Sequence, residues 1–208
     1  DEGSELPKIT LKSIVTSFRA QPAVALTMIL AMQIEFSTQD WSAIYLRDSI
    51  GMSDASSIYG YTVFIGAMII FRFNANRLHH MFSEAVLLKW PPIVGAIGFI
   101  TFIPLGTLVS EFNLMLGFSL ALFGYALAGF GSSLLAPTLF GIAFRNSKHP
   151  SSVVVAQLGL VAAVVAFFVK ILISWVAETT SVTLALMIPA LMLLATSKFS
   201  YLGSKQRD

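Results

Sequence analysis

Cysteine is absent from all 208 residues, which excludes disulfides, thiolate metal sites and cysteine nucleophiles. Charge is scarce as well. Only 12% of the residues are Asp, Glu, Lys or Arg, against about a quarter in soluble domains. Apolar residues fill the deficit: 56% of the chain is hydrophobic and its mean hydropathy is +0.79. Water is not the solvent of such a sequence; a lipid bilayer is. A spanning helix needs about 20 apolar residues, so this length accommodates roughly six spans and leaves little room for a soluble catalytic domain. The net charge of +2 and pI near 9.0 do not make a nucleic-acid binder. The basic residues are dispersed between apolar runs rather than gathered on one amphipathic face, so no nucleic-acid partner is expected.

The hydropathy pattern predicts an all-α membrane protein of six transmembrane helices, over 22–45, 58–71, 86–109, 114–140, 153–176 and 182–195. Pro22 opens the first run at a position where a proline suits a first helical turn. Pro137 is expected to kink or end the fourth. Segment 1–21 reads as the end of a cytoplasmic linker and 199–208 as a tail. Asp1 to Lys12 is polar, starts without Met and has neither the basic start nor the apolar core of a signal peptide. The natural chain is therefore expected to extend upstream.

Basic residues divide sharply between alternate connections. Lys8, Lys12 and Arg19 precede the first span, Arg72, Arg77 and Lys89 lie between the second and third, Arg145 and Lys148 follow the fourth, and Lys198, Lys205 and Arg207 follow the sixth. The opposite connections hold Arg47 with Asp48 and Asp54, then Glu111, then Glu178. The basic side is expected to be cytoplasmic, with both termini inside.

Three ionisable residues fall within apolar runs, where a charge costs roughly 2.5 kcal/mol or more and is a functional hypothesis by default. Glu35 lies about midway along the first span and Asp40 about 7.5 Å nearer its outer end. Five residues separate them, which turns them roughly 140° apart. Glu35 shares a face with Met32, Thr38, Gln39 and Ser42, and Asp40 lies near Gln33 and Ser37. A span so polar in its outer half should line a watery cavity or a protein interface. Lys170, on the fifth span, matches Asp40 in depth, so the two could pair; alternatively Lys170 snorkels outward and Asp40 caps its helix. Glu35 is either a proton- or substrate-binding carboxylate or a structural hydrogen-bonding group. Trp41 and Tyr45 suit both an interfacial aromatic belt and stacking on a ligand. Gly117, Gly124, Gly129 and Gly131, with Ser132 and Ser133, allow close helix approach and bending.

Enzyme constellations are not found. His79, His80 and His149 are expected in loops away from any buried acid or nucleophile, and the adjacent pair lacks the i, i+4 spacing of a helical metal site. Gly131-Ser132-Ser133 does not make a nucleophile elbow. Neither a metal nor a cofactor is expected.

The segment Glu35-Phe36-Ser37-Thr38-Gln39-Asp40-Trp41-Ser42-Ala43-Ile44-Tyr45-Leu46-Arg47-Asp48 resembles the E-G-A-x-x-D-W-S-A-x-Y-L-R-D segment that opens the second half of a branch of bacterial major facilitator superfamily (MFS) permeases similar to the fucose-permease group. Gly60-Tyr61, Phe64 and Met68 fit the next helix of that family, Arg72 to Phe82 its cytoplasmic G-R-x-x-G-D-R-x-x-D-R-F-G loop, and Gly129 to Ala143 the G-x-G-x-x-x-x-x-P-x-x-F-x-x-A segment of its tenth helix. The loop departs from the pattern. Phe71, Ala75 and Ser83 replace glycines, Asn76 and His80 replace acidic residues, and only Arg72 and Arg77 keep the charges, which removes the aspartates of any conformational latch. Phe36 stands where the family has glycine, and Lys170 where relatives often have a small residue or proline.

The resemblance implies that the six spans are helices seven to twelve of a secondary transporter for a small solute such as a sugar, with an N-terminal six-helix half, or a second copy of this one, as partner. Within such a transporter the intramembrane charges make Glu35 the expected proton or substrate carboxylate and Asp40 and Lys170 the expected gating or charge-compensating pair, with Gln33, Gln39 and Trp41 as ligand contacts. Arg72, Asn76 and Arg77 would form the cytoplasmic loop motif. A non-transporting membrane scaffold or truncated remnant stays open as the alternative.

Overall fold

The computed structural model describes residues 22–146 and 151–204. Segment 1–21, Lys148, His149, Lys205 and Arg207 lie outside the described residues. Helix α1 (Pro22–Ile44) runs directly into a wider π-helical turn, Tyr45–Ile50. Gly51 ends that turn at φ 92°, a left-handed conformation open to a residue without Cβ. There follow α2 (Asp54–Ser57), α3 (Tyr59–Phe73), α4 (Ala75–Met81), α5 (Glu84–Ser110), α6 (Leu114–Ser133), α7 (Leu135–Asn146), α8 (Ser151–Thr179), α9 (Val182–Ala185) and α10 (Met187–Ser204). No strand occurs among the described residues.

Four stretches are long and apolar enough to cross a membrane: Asp54–Phe73, Glu84–Ser110, Leu114–Arg145 and Ser151–Thr179, with a shorter apolar helix over Val182–Lys198. Their outward faces carry large apolar side chains such as Leu108, Phe123, Phe168 and Trp175, as contact with lipid requires. The protein is a multi-pass, all-α membrane protein. Helix α1 is not among those four, because Gln33, Glu35, Ser37, Thr38, Gln39, Asp40 and Ser42 interrupt its apolar run. It packs instead against α3, α7, α8 and α10.

Small residues set the helix spacing. A Cβ on Gly95 of α5 would lie 2.7 Å from the Gly131 Cα of α6, so the two backbones touch. Gly129 of α6 abuts the Phe64 carbonyl of α3 in the same manner. Close backbone approach of this kind replaces the hydrophobic drive that lipid does not supply. Between these helices Phe64, Phe99 and Tyr125 are fully buried.

The fourth apolar run breaks at Leu134 rather than at Pro137. Pro137 has no N–H to give the Ser133 carbonyl one turn earlier, so the hydrogen-bond ladder opens there. The Ser132 and Ser133 hydroxyls turn back onto the Gly129 and Phe130 carbonyls at 3.3 and 2.7 Å, contacts that favour bending. The stretch 72–82, expected as a loop, is mostly helical: Arg72 belongs to the last turn of α3, and Asn76 and Arg77 lie exposed on α4.

Candidate functional site

Glu35 and Asp40 lie on different sides of α1, yet both are open. Met32, Glu35, Phe36, Gln39, Asp40 and Ala43 are exposed or half-exposed, whereas Gln33, Ile34, Ser37, Thr38 and Ser42 are buried. The i, i+3, i+4 spacing of the open residues defines one continuous stripe along the helix. The two carboxylates form the margins of that stripe, which is why an angle of roughly 140° between them still leaves both accessible.

Each margin is held by a cation from another helix. At the outer margin Lys170 Nζ of α8 lies 2.6 Å from Asp40 Oδ2. The pair sits in an open depression of about 450 Å³ between α1 and α8, whose walls include Trp41, Ile44, Phe167 and Ser174. Trp41 is half-buried and bridges the main apolar core and a smaller cluster around Val169 and Ile173. At the inner margin Arg72 Nη2 of α3 lies 4.0 Å from Glu35 Oε2, a Coulombic contact rather than a hydrogen bond. The same guanidinium donates through Nε to the Ser133 carbonyl at 3.0 Å. Gln39 lies exposed between the two margins.

Two residues lie elsewhere than the sequence suggested. Gln33, read as a ligand contact, is 1% exposed, and its Nε2 donates to the Ile29 carbonyl of its own helix at 2.8 Å. Its amide is enclosed among core helices and does not reach the open stripe. Tyr45 is neither a belt residue nor an exposed stacking platform. It is fully buried, donates to the Ile103 carbonyl at 2.6 Å, and meets Tyr125 edge-on with ring centroids 6.2 Å apart. Thr107 Oγ1 lies 3.2 Å from the Tyr45 hydroxyl and 3.1 Å from Thr183 Oγ1, so a polar thread joins the end of α1 to α5 and α9. Sequence reasoning missed it because an aromatic at a helix end looks alike whether it faces lipid or a neighbouring helix.

Outside the spans, Asp48 holds Arg47 at 2.7 Å at the outer end. The guanidinium beside it keeps the Asp48 carboxyl below its usual range, and the carboxylate raises Arg47 in turn. At the opposite end Arg145 of α7 pairs with Glu84 of α5, with Nη2 3.1 and 3.2 Å from the two carboxylate oxygens. His79 and His80 are exposed on α4, and no cluster of metal-binding side chains occurs among the described residues.

The chain is 29% identical over 163 residues to an uncharacterized MFS-type transporter of Yersinia pestis, covering 78% of this chain and 40% of that protein. It is 27% identical over 128 residues to an uncharacterized transporter of Sinorhizobium fredii, covering 62% of this chain and 31% of that protein. The chain is related to MFS-type transporters. The match spans less than half the length of either relative. No known family pattern matches the chain, and no solved structure matches it. The transporter relationship suits a bundle that leaves a polar stripe open on α1.

Proposed function

We propose that the chain is the C-terminal six-helix half of an MFS permease, of a branch similar to the fucose-permease group, that moves a small solute such as a sugar across the bacterial inner membrane by alternating access. The observation that carries this reading is the open stripe on α1. Glu35, Gln39 and Asp40 are accessible on a bundle whose other outward faces carry large apolar side chains, and an exposed carboxylate within a span must meet water or another protein rather than lipid. In this reading α1 and the short helices α9 and α10 complete six spans, both termini are cytoplasmic, and the stripe faces a second six-helix bundle. That bundle is the N-terminal half of the same transporter or, failing that, a second copy of this one. Half of a clamp cannot alternate alone.

Glu35 is the proton- or substrate-binding carboxylate. The charged group facing it from α3 is Arg72; Lys170 on α8 is engaged by Asp40. Proton uptake at Glu35 would release Arg72, and a solute with hydroxyl groups could compete for either. Asp40 and Lys170 gate or compensate charge at the outer margin, with Trp41 and Gln39 as ligand contacts. The test is uptake into sealed vesicles by the chain alone and with its upstream coding sequence restored, across a panel of sugars and small metabolites. Uptake by the restored protein that Glu35→Gln abolishes supports the proposal. A folded full-length protein that moves nothing would favour a membrane scaffold whose stripe is sealed by partner helices.

A further inference from the structure

Arg72 is placed to serve two helices at once. Gly129 brings α3 against α6 at the Phe64 carbonyl, and the Phe71 and Phe130 rings pack with centroids 4.4 Å apart. The next residue, Arg72, thereby reaches the last carbonyls of α6. There its Nε donates at 3.0 Å to the Ser133 oxygen, the acceptor that Pro137 leaves without its i+4 N–H. The guanidinium thus stands in for the missing backbone donor, at a helix C-terminus where the macrodipole favours a cation. Its Nη2 meanwhile lies 4.0 Å from Glu35 Oε2 on α1.

We propose that Arg72 is a positioning residue that ties the charge on Glu35 to the α6–α7 break: the carboxylate orients the guanidinium, and the guanidinium caps the carbonyl freed by Pro137. When Glu35 is neutral, Arg72 loses one anchor, the cap on Ser133 loosens, and α7 gains freedom to move against α6. This deepens the reading of Glu35 as the working carboxylate and rests on it for its role in transport. The junction itself can be measured without any transport.

The experiment is hydrogen exchange by mass spectrometry over residues 134–141 in the full-length, membrane-reconstituted protein. Arg72→Gln is expected to raise exchange there roughly tenfold, as loss of a hydrogen bond from a charged donor would. Arg72→Lys keeps the charge without the planar fork, should give a smaller rise, and serves if the Gln variant does not fold. Pro137→Ala supplies the missing N–H, so in that background Arg72→Gln should leave exchange unchanged. Glu35→Gln should raise exchange by roughly threefold, a weaker loosening that keeps the cap itself, while Asp40→Asn should not. An equal rise from Arg72→Gln with and without Pro137, no rise at all, or no response to Glu35→Gln would overturn the proposal. Uptake lost in Glu35→Gln with exchange unchanged would sink the junction and spare the transport reading. Exchange changed with uptake intact would do the reverse.

Discussion

Asp40 and Lys170 show how little freedom a charge has in a chain with so few of them. At 2.6 Å, with side chains 37% and 47% exposed, each neutralises the other on a face that lipid would otherwise reject. Breaking a fully buried pair costs about 3–5 kcal/mol because one charge is left alone. Access to solvent reduces that here, so Asp40→Asn or Lys170→Met alone should cost roughly 1–2 kcal/mol. The double variant should recover most of the loss, and thermal unfolding of the purified protein would show it; a double variant as unstable as the sum of the singles would mean that the pair is not coupled. A second residue-scale prediction concerns Tyr45. Tyr45→Phe keeps the ring against Tyr125 and removes the hydroxyl that donates to the Ile103 carbonyl and meets Thr107, so it should lower stability by about 1 kcal/mol in the same assay. The charges were legible in the sequence because any ionisable group in an apolar run demands a partner, and matching depth singled out Asp40 and Lys170. Gln33 and Tyr45 were not legible. Their exposure depends on which neighbouring helix covers them, and a single strand of sequence does not contain that.

At the scale of the element, the helices depend on where side chains are missing. Gly131 and Gly129 sit where a Cβ would strike the backbone of α5 and α3 respectively. Neither backbone can yield without moving a helix, so Gly131→Ala and Gly129→Ala should each cost about 1–3 kcal/mol as overpacking. Gly66 and Gly141 have nothing within 4 Å of a built Cβ. Gly66→Ala and Gly141→Ala should therefore be neutral or stabilise by up to roughly 0.5–1 kcal/mol through helix propensity. Melting temperatures of the four variants decide the matter; if all four shifted alike, close helix approach would not be what sets the spacing. The small-residue run Gly129 to Ser133 announced such contacts in the sequence. Its partners, Phe64 and Gly95, did not announce themselves, since nothing local marks the far side of a contact. The helix break was legible through Pro137 but was placed too late in the chain, because the disrupted bond belongs to the carbonyl four residues before the proline. The stripe on α1 was not legible for a related reason. Angular spacing gives the separation of Glu35 and Asp40, yet only the packing of α3, α7, α8 and α10 decides which arc between them stays open.

For the whole molecule, the distribution of charge along the membrane normal sets the orientation. One end of the bundle carries Arg72, Arg77, Lys89 and the Arg145–Glu84 pair, and the other carries Asp48, Asp54, Glu111 and Glu178 with Arg47 as the counter-charge. The sequence already showed this alternation, and the all-α membrane character followed from composition alone. What it could not show is that α1 buries Gln33, Ser37, Thr38 and Ser42 against neighbouring helices while leaving Glu35, Gln39 and Asp40 open. An excess of Lys and Arg is retained on the cytoplasmic side during insertion, so the α4 end is expected inside and the Glu111 end outside. The 208 residues contain no cysteine, so single cysteines can be introduced into them without removing native ones. In intact cells a membrane-impermeant maleimide should label Glu111→Cys and Glu178→Cys, and should label His79→Cys only after the membrane is opened. Gln39→Cys, on the open stripe, should react if that stripe faces water, and its reaction should slow when a transported solute fills the space beside Asp40 and Trp41. Labelling of His79→Cys from outside would invert the topology and put the Arg72 junction at the outer surface. An inert Gln39→Cys in a folded protein would instead mean that partner helices seal the stripe, as a scaffold requires.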